Sequence, residues 1–139
     1  MDMQRGVTDG VTRALAAVGL AGVARVHVLD APWAFEDAPY RGVLYVLLII
    51  GCIATGAALV RGGDRLAWAA AAFLPAVTIV AYVLSRTVGV PQRADDVGNS
   101  GEPLGIASLF VVSAVVGLAT SRLRAFAPAV RRELVPARG

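Results

Sequence analysis

The chain has 139 residues, of which 57% are hydrophobic and 17% charged, and its mean hydropathy is +0.67. A soluble domain of this size averages about 45–50% apolar and about 25% charged residues, so the composition excludes a disordered chain and requires lipid to cover the apolar excess. The formal charge of +3 rests on arginine alone, with no lysine, and the single cysteine, Cys52, excludes an internal disulfide framework and any multi-cysteine metal cluster.

The first apolar segment covers 14–29 and extends back to 11–29 if the helix begins at Val11. Its clean core stops at Ala24, with Arg25 and His27 following, which places these two near a headgroup layer where Arg25 can snorkel. A cleaved signal is the alternative, with Arg5 and Arg13 as a basic leader and Gly22-Val23-Ala24 as the small residues before cleavage; a retained span is the preferred reading. Three further runs, 42–60, 66–84 and 104–121, carry no charge, and each is long enough as a helix to cross roughly 30 Å of hydrocarbon. The expected fold is therefore an all-α, integral membrane four-helix bundle forming a single domain, with an Arg-rich tail over 122–139. No internal repeat relates the two hairpins, so inverted-repeat transporter logic has no support.

Orientation follows from the arginines. With a cytoplasmic N-terminus, nine of the 13 lie inside (Arg5, Arg13, Arg61, Arg65, Arg122, Arg124, Arg131, Arg132, Arg138), while six of the ten acids lie outside (Asp30, Glu36, Asp37, Asp95, Asp96, Glu102). The positive-inside rule then predicts both termini in the cytoplasm and a multi-pass protein of the cell membrane. The pI of 9.8 is explained by the tail, which reads as an anchor for anionic lipid; its single aromatic and two prolines argue against nucleic acid. Trp33, Phe35, Tyr40, Tyr45 and Tyr82 fall at the outer boundary, and Trp68 and Phe126 at the inner one, as aromatic belts require.

Helices associate in lipid by close backbone approach, so small residues mark candidate seams. Cys52 and Gly56 form one on the second span; Gly101, Gly105 and Ser108, then Ser113, Gly117 and Ser121, form another on the fourth. These seams serve either packing within the bundle or contact with a partner. Pro75 interrupts the third span and releases the carbonyl of Ala71, and Thr78, Tyr82 and Arg86 follow at four-residue steps as a polar stripe. The stripe either satisfies that carbonyl and anchors the helix end or lines a path opening outward.

Two outer segments, 25–41 and 85–103, carry the remaining chemistry. The first interleaves charges, aromatics and two prolines and is expected to lie along the interface; the second is longer than a usual connection and ends in a capping box of Asn99 with Glu102. They bring His27, Asp30, Glu36, Asp37, Asp95, Asp96 and Glu102 to one side with Arg25, Arg41, Arg86 and Arg93. Arg–carboxylate pairs such as Arg86 with Glu102 or Glu36 are the expected outcome, and a metal site lacks any paired-histidine spacing. No Gly-x-Ser-x-Gly, phosphate loop, His-Glu-x-x-His or Cys-x-x-Cys is present, and Cys52 reads as a small hydrophobe, so no catalytic residue or cofactor is assigned.

His27, Ala31-Pro32, Phe35-Glu36, Ala38-Pro39-Tyr40, the run Leu84-Ser85-Arg86-Thr87-Val88-Gly89-Val90-Pro91, Gly98-Asn99 and Glu102-Pro103-Leu104-Gly105 resemble a group of small four-span membrane proteins of high-GC bacteria. The resemblance covers roughly residues 20 to 115 and implies the same fold in a bacterial inner membrane, with no assigned activity. It also implies an aromatic in relatives at the place of Ser100 and a carboxylate at that of Ser113, so this chain lacks an intramembrane acid there.

The function expected from these features is that of a non-catalytic accessory or assembly subunit of a larger membrane protein complex. Its interface candidates are Cys52, Gly56, Gly101, Gly105 and Gly117. The alternative is a small-molecule or ion binder or carrier, with an outward-facing polar site built from His27, Glu36, Tyr82, Arg86 and Glu102.

Overall fold

The computed structural model describes residues 2–89, 91 and 103–134. Gly101, Glu102, the Asn99 capping box, Arg93, Asp95, Asp96 and Arg138 lie outside the described residues. Four helices follow in order: α1 (Asp2–Asp37), α2 (Pro39–Arg61), α3 (Arg65–Thr87) and α4 (Pro103–Leu134). All four are long and apolar enough to cross a membrane.

α1 is longer than the expected span of 11–29. Its 36 residues rise about 54 Å and absorb most of the segment expected to lie along the interface as an outer loop. Pro32 is accommodated inside the helix; only Pro39 stops it, because a residue preceding proline is pushed out of the α region. Ala38 is that residue, extended at φ −159° and fully buried, and it alone connects α1 to α2, with Pro39 opening the next helix. Gly42 makes so sharp a reversal possible, since the Phe35 ring lies where its Cβ would stand.

The turn from α2 to α3 is equally short. Gly63 takes φ 63°, a left-handed conformation that favours glycine, and Asp64 caps α3 by accepting the Ala67 N–H at 2.8 Å.

The helices run up and down in antiparallel order. α1 packs along α2 and α4, α3 packs along α4 and α2, and α2 and α4 make no contact among the described residues. The start of α1 and the described end of α4 therefore share one end of the bundle. The core is built largely from small side chains, Ala16, Ala24, Cys52, Ala67, Ala71 and Ala119, around Leu20, Val23, Leu59, Trp68, Val112 and Val115. At most 28% of any span's most apolar stretch is buried inside the bundle. Large apolar side chains such as Leu15, Val18, Leu47, Ile53, Phe73 and Phe110 face outward, where lipid must cover them.

Candidate functional site

Polar side chains gather at the two ends of the bundle. At the end shared by the start of α1 and the described end of α4, Asp9 of α1 holds Arg122 of α4 at 2.6 Å, and the Arg122 guanidinium lies 5.7 Å from the centre of the buried Trp68 ring on α3. Arg13, one turn along from Asp9, donates to the carbonyl of Gly62 at 3.0 Å, so it satisfies a group left open where α2 ends. This cluster ties all four helices together. Sequence reasoning missed it because Asp9 and Arg122 stand 113 residues apart and neither belongs to a recognisable motif.

At the opposite end the expected site residues divide between two seams. His27 is 8% exposed and packs edge-on against Tyr45 of α2, with ring centroids 4.7 Å apart. Its Nδ1 lies 2.8 Å from the carbonyl of Val23; a carbonyl only accepts, so Nδ1–H is the donor. Tyr45 in turn donates to Asp30 at 3.5 Å. Glu36 is exposed and makes no hydrogen bond or ion pair among the described residues. Arg41 reaches Asp37 one turn away at 3.4 Å, and Tyr40 donates to the carbonyl of Pro91 at 2.9 Å.

The second seam lies between α3 and α4. Tyr82 packs over Gly105, whose missing side chain leaves room for the phenol: a Cβ there would stand 2.9 Å from the Tyr82 oxygen. Arg86 lies 5.2 Å from the Tyr82 ring centre, one turn further along α3. Thr78, expected as a partner for the carbonyl that Pro75 releases on Ala71, donates instead to Leu74 at 3.1 Å. The Tyr82 hydroxyl is buried and makes no hydrogen bond among the described residues. Tyr82→Phe is therefore expected to be neutral or to raise stability by about 1 kcal/mol in thermal unfolding. A fall in stability would identify a ligand or water held by that hydroxyl and return weight to a binding site here. Among the described residues, no group of three or more His, Cys, Asp or Glu side chains is placed to hold a metal.

The small-residue seams also sort by direction. Gly56 faces the backbone of Ala17, Cys52 is buried beside it, and Gly105 faces Tyr82, so these three positions serve contacts within the bundle. Gly117 differs, because it is exposed and a Cβ there would meet nothing within 4 Å. A groove of about 470 Å³ follows the outer side of the α1/α2 hairpin, with Ala17, Ala21, Gly56 and Ala57 in its wall and Arg61 at one end.

Among the described residues the protein is all-helical, and its four helices long and apolar enough to cross a membrane mark it as a multi-pass membrane protein. No known family model, curated protein or solved structure matches the chain.

Proposed function

We propose that the chain is a non-catalytic accessory or assembly subunit of a larger complex in a bacterial inner membrane, with both termini in the cytoplasm. The orientation rests on charge. The end shared by the start of α1 and the described end of α4 holds Arg5, Arg13, Arg61, Arg65, Arg122, Arg124, Arg131 and Arg132 against Asp2, Asp9, Asp64 and Glu133, an imbalance that the positive-inside rule favours in the cytoplasm.

The observation that carries the subunit reading is the outer face of α4. Ser113, Gly117 and Ser121 succeed one another at four-residue steps, and all three are exposed. Ser121 satisfies its hydroxyl on the carbonyl of Leu118 at 2.7 Å, and neighbouring Thr120 does the same on Val116. Ser113, near the middle of the 105–126 span, makes no such bond among the described residues. A bare glycine flanked by hydroxyls in hydrocarbon is the surface that a second helix fits by close backbone approach and interhelical hydrogen bonding.

The test is native mass spectrometry of the tagged full chain, taken from its own membrane in mild detergent. A stoichiometric hetero-assembly is expected. Gly117→Leu should lower partner occupancy by at least about tenfold, or roughly 1.4 kcal/mol. It should not lower the thermal stability of the isolated chain, since a Cβ at this exposed position meets nothing within 4 Å and leucine favours a helix interior over glycine. A native chain that emerges only as a monomer overturns the reading.

A further inference from the structure

Arg25 lies deeper in the bundle than an interfacial residue should. The antiparallel register of α1 against α2 is fixed by Gly56 on Ala17 and by Tyr45 on His27, which sets Arg25 level with Leu47. The charge-free run of α2 covers 42–60 between Arg41 and Arg61, and its centre is residue 51, so Arg25 stands about 6 Å from the middle of that run at 1.5 Å per residue. α4 gives the same depth: Gly22 faces Val111, putting Arg25 near Ser108 in a charge-free run of 104–121. With a hydrocarbon half-thickness of about 15 Å, Arg25 lies well inside the apolar layer.

Among the described residues, nothing compensates that charge. Arg25 is exposed on α1, and it makes no ion pair or hydrogen bond among the described residues. Snorkelling toward the nearer surface means reaching along α1 toward its C-terminus, whereas helical side chains lean toward the N-terminus, here toward the far surface. That lean carries Arg25 toward Ala21, one turn away on the same face, and Ala21 borders the α1/α2 groove. An uncompensated arginine beside a small-residue groove, both facing lipid, is an incomplete structure.

We propose that Arg25 is the docking point for a transmembrane helix of a partner protein that carries an Asp or Glu at the same depth and lies in the α1/α2 groove. A carboxylate within hydrogen-bonding reach compensates the guanidinium where water is absent, and arginine's planar fork holds it in two parallel bonds. A second copy of this chain fits less well, because its runs 42–60, 66–84 and 104–121 hold no carboxylate, and the nearest one on α1, Asp30, stands about 7.5 Å further toward the outer end and already accepts from Tyr45. The proposal rests on the accessory-subunit reading but uses a different face from the Gly117 seam, so the two fail separately.

The purified full chain is reconstituted in phosphatidylcholine bilayers with synthetic Leu/Ala transmembrane helices that differ at one mid-depth position, Asp, Asn or Leu, and association is read by energy transfer between dyes. The Asp helix is expected to associate at least about tenfold more strongly than the Leu helix, with Asn between them. Arg25→Leu should remove the preference and Arg25→Lys keep part of it. Loading Arg25→Asp with an Arg-bearing helix should restore it. Since Arg25 makes no contact of its own through charge, circular dichroism should report an unchanged fold for these variants. Equal association of the Asp and Leu helices, or a preference that survives Arg25→Leu, overturns the proposal. If the native complex persists in Arg25→Leu membranes, the subunit reading stands and the assignment to Arg25 falls. If the native chain forms no complex, the subunit reading falls and the helix assay still decides Arg25.

Discussion

Trp68→Ala is expected to lower the stability of the bundle by about 3–5 kcal/mol, the range for deleting a large buried aromatic side chain. Trp68 is 1% exposed, is the largest fully buried side chain among the described residues, and stands in the first turns of α3 within a core that also holds Leu59, Ala67, Ala71 and Ala119. The loss within that range depends on how far the surrounding side chains can collapse into the cavity. The indole also carries the Arg122 guanidinium on its face, and Arg122 is the residue that Asp9 holds across from α1. Thermal unfolding in detergent followed by circular dichroism checks the value. Trp68→Phe should recover most of it, because the ring volume and a weaker cation–π face remain. A loss under about 1 kcal/mol for the alanine variant would mean that the four-helix knot at this end is held by Asp9 and Arg13 without the aromatic beneath it.

The two middle spans were legible in the sequence because nothing else in the chemistry competes with a helix there. Runs 42–60 and 66–84 have no charge, arginine stands at or beside their ends, and a chain in hydrocarbon has no other way to satisfy its backbone. α1 was read short for the opposite reason. Arg25, His27, Asp30 and Pro32 look like the end of a span, yet none of them breaks a helix. His27 satisfies itself on the carbonyl one turn back, Asp30 accepts from Tyr45, and Pro32 costs one internal bond. What ends α1 is a local steric rule acting on Ala38 from Pro39, a signal present in the sequence but outweighed by the charges. Arg25 was assigned to the outer boundary on the same logic. The level proposed for it above rests on the register of α1 against α2 and α4, which no local pattern encodes.

The direction of each small residue was likewise hidden. Gly56, Gly105 and Gly117 are equivalent in a pattern of small residues, and only the packed bundle distinguishes the glycine that receives Ala17 or Tyr82 from the one that meets nothing. The pairing of Asp9 with Arg122 belongs to the same class of information, since closing the four-helix ring brings together residues from the start of α1 and the second half of α4.

The second large effect lies at the hairpin. Gly42→Leu is expected to destabilise the protein by at least the 1–3 kcal/mol, approximately, that overpacking costs, because the Phe35 ring already occupies the space above Gly42 and Ala38 leaves no slack in a one-residue connection. Either the ring is displaced or the ends of α1 and α2 separate, and separation would pull His27 from Tyr45 and Asp30 from the Tyr45 hydroxyl. A double-mutant cycle isolates the clash. Phe35→Ala alone should cost little, since Phe35 is 43% exposed, whereas in the Gly42→Leu background it should restore most of the lost stability. A loss from Gly42→Leu under about 1 kcal/mol would mean that the hairpin tolerates the larger side chain by repacking Phe35 outward. The tight turn would then be set by Pro39 alone, and the depth of His27 and Arg25 would be insensitive to the substitution.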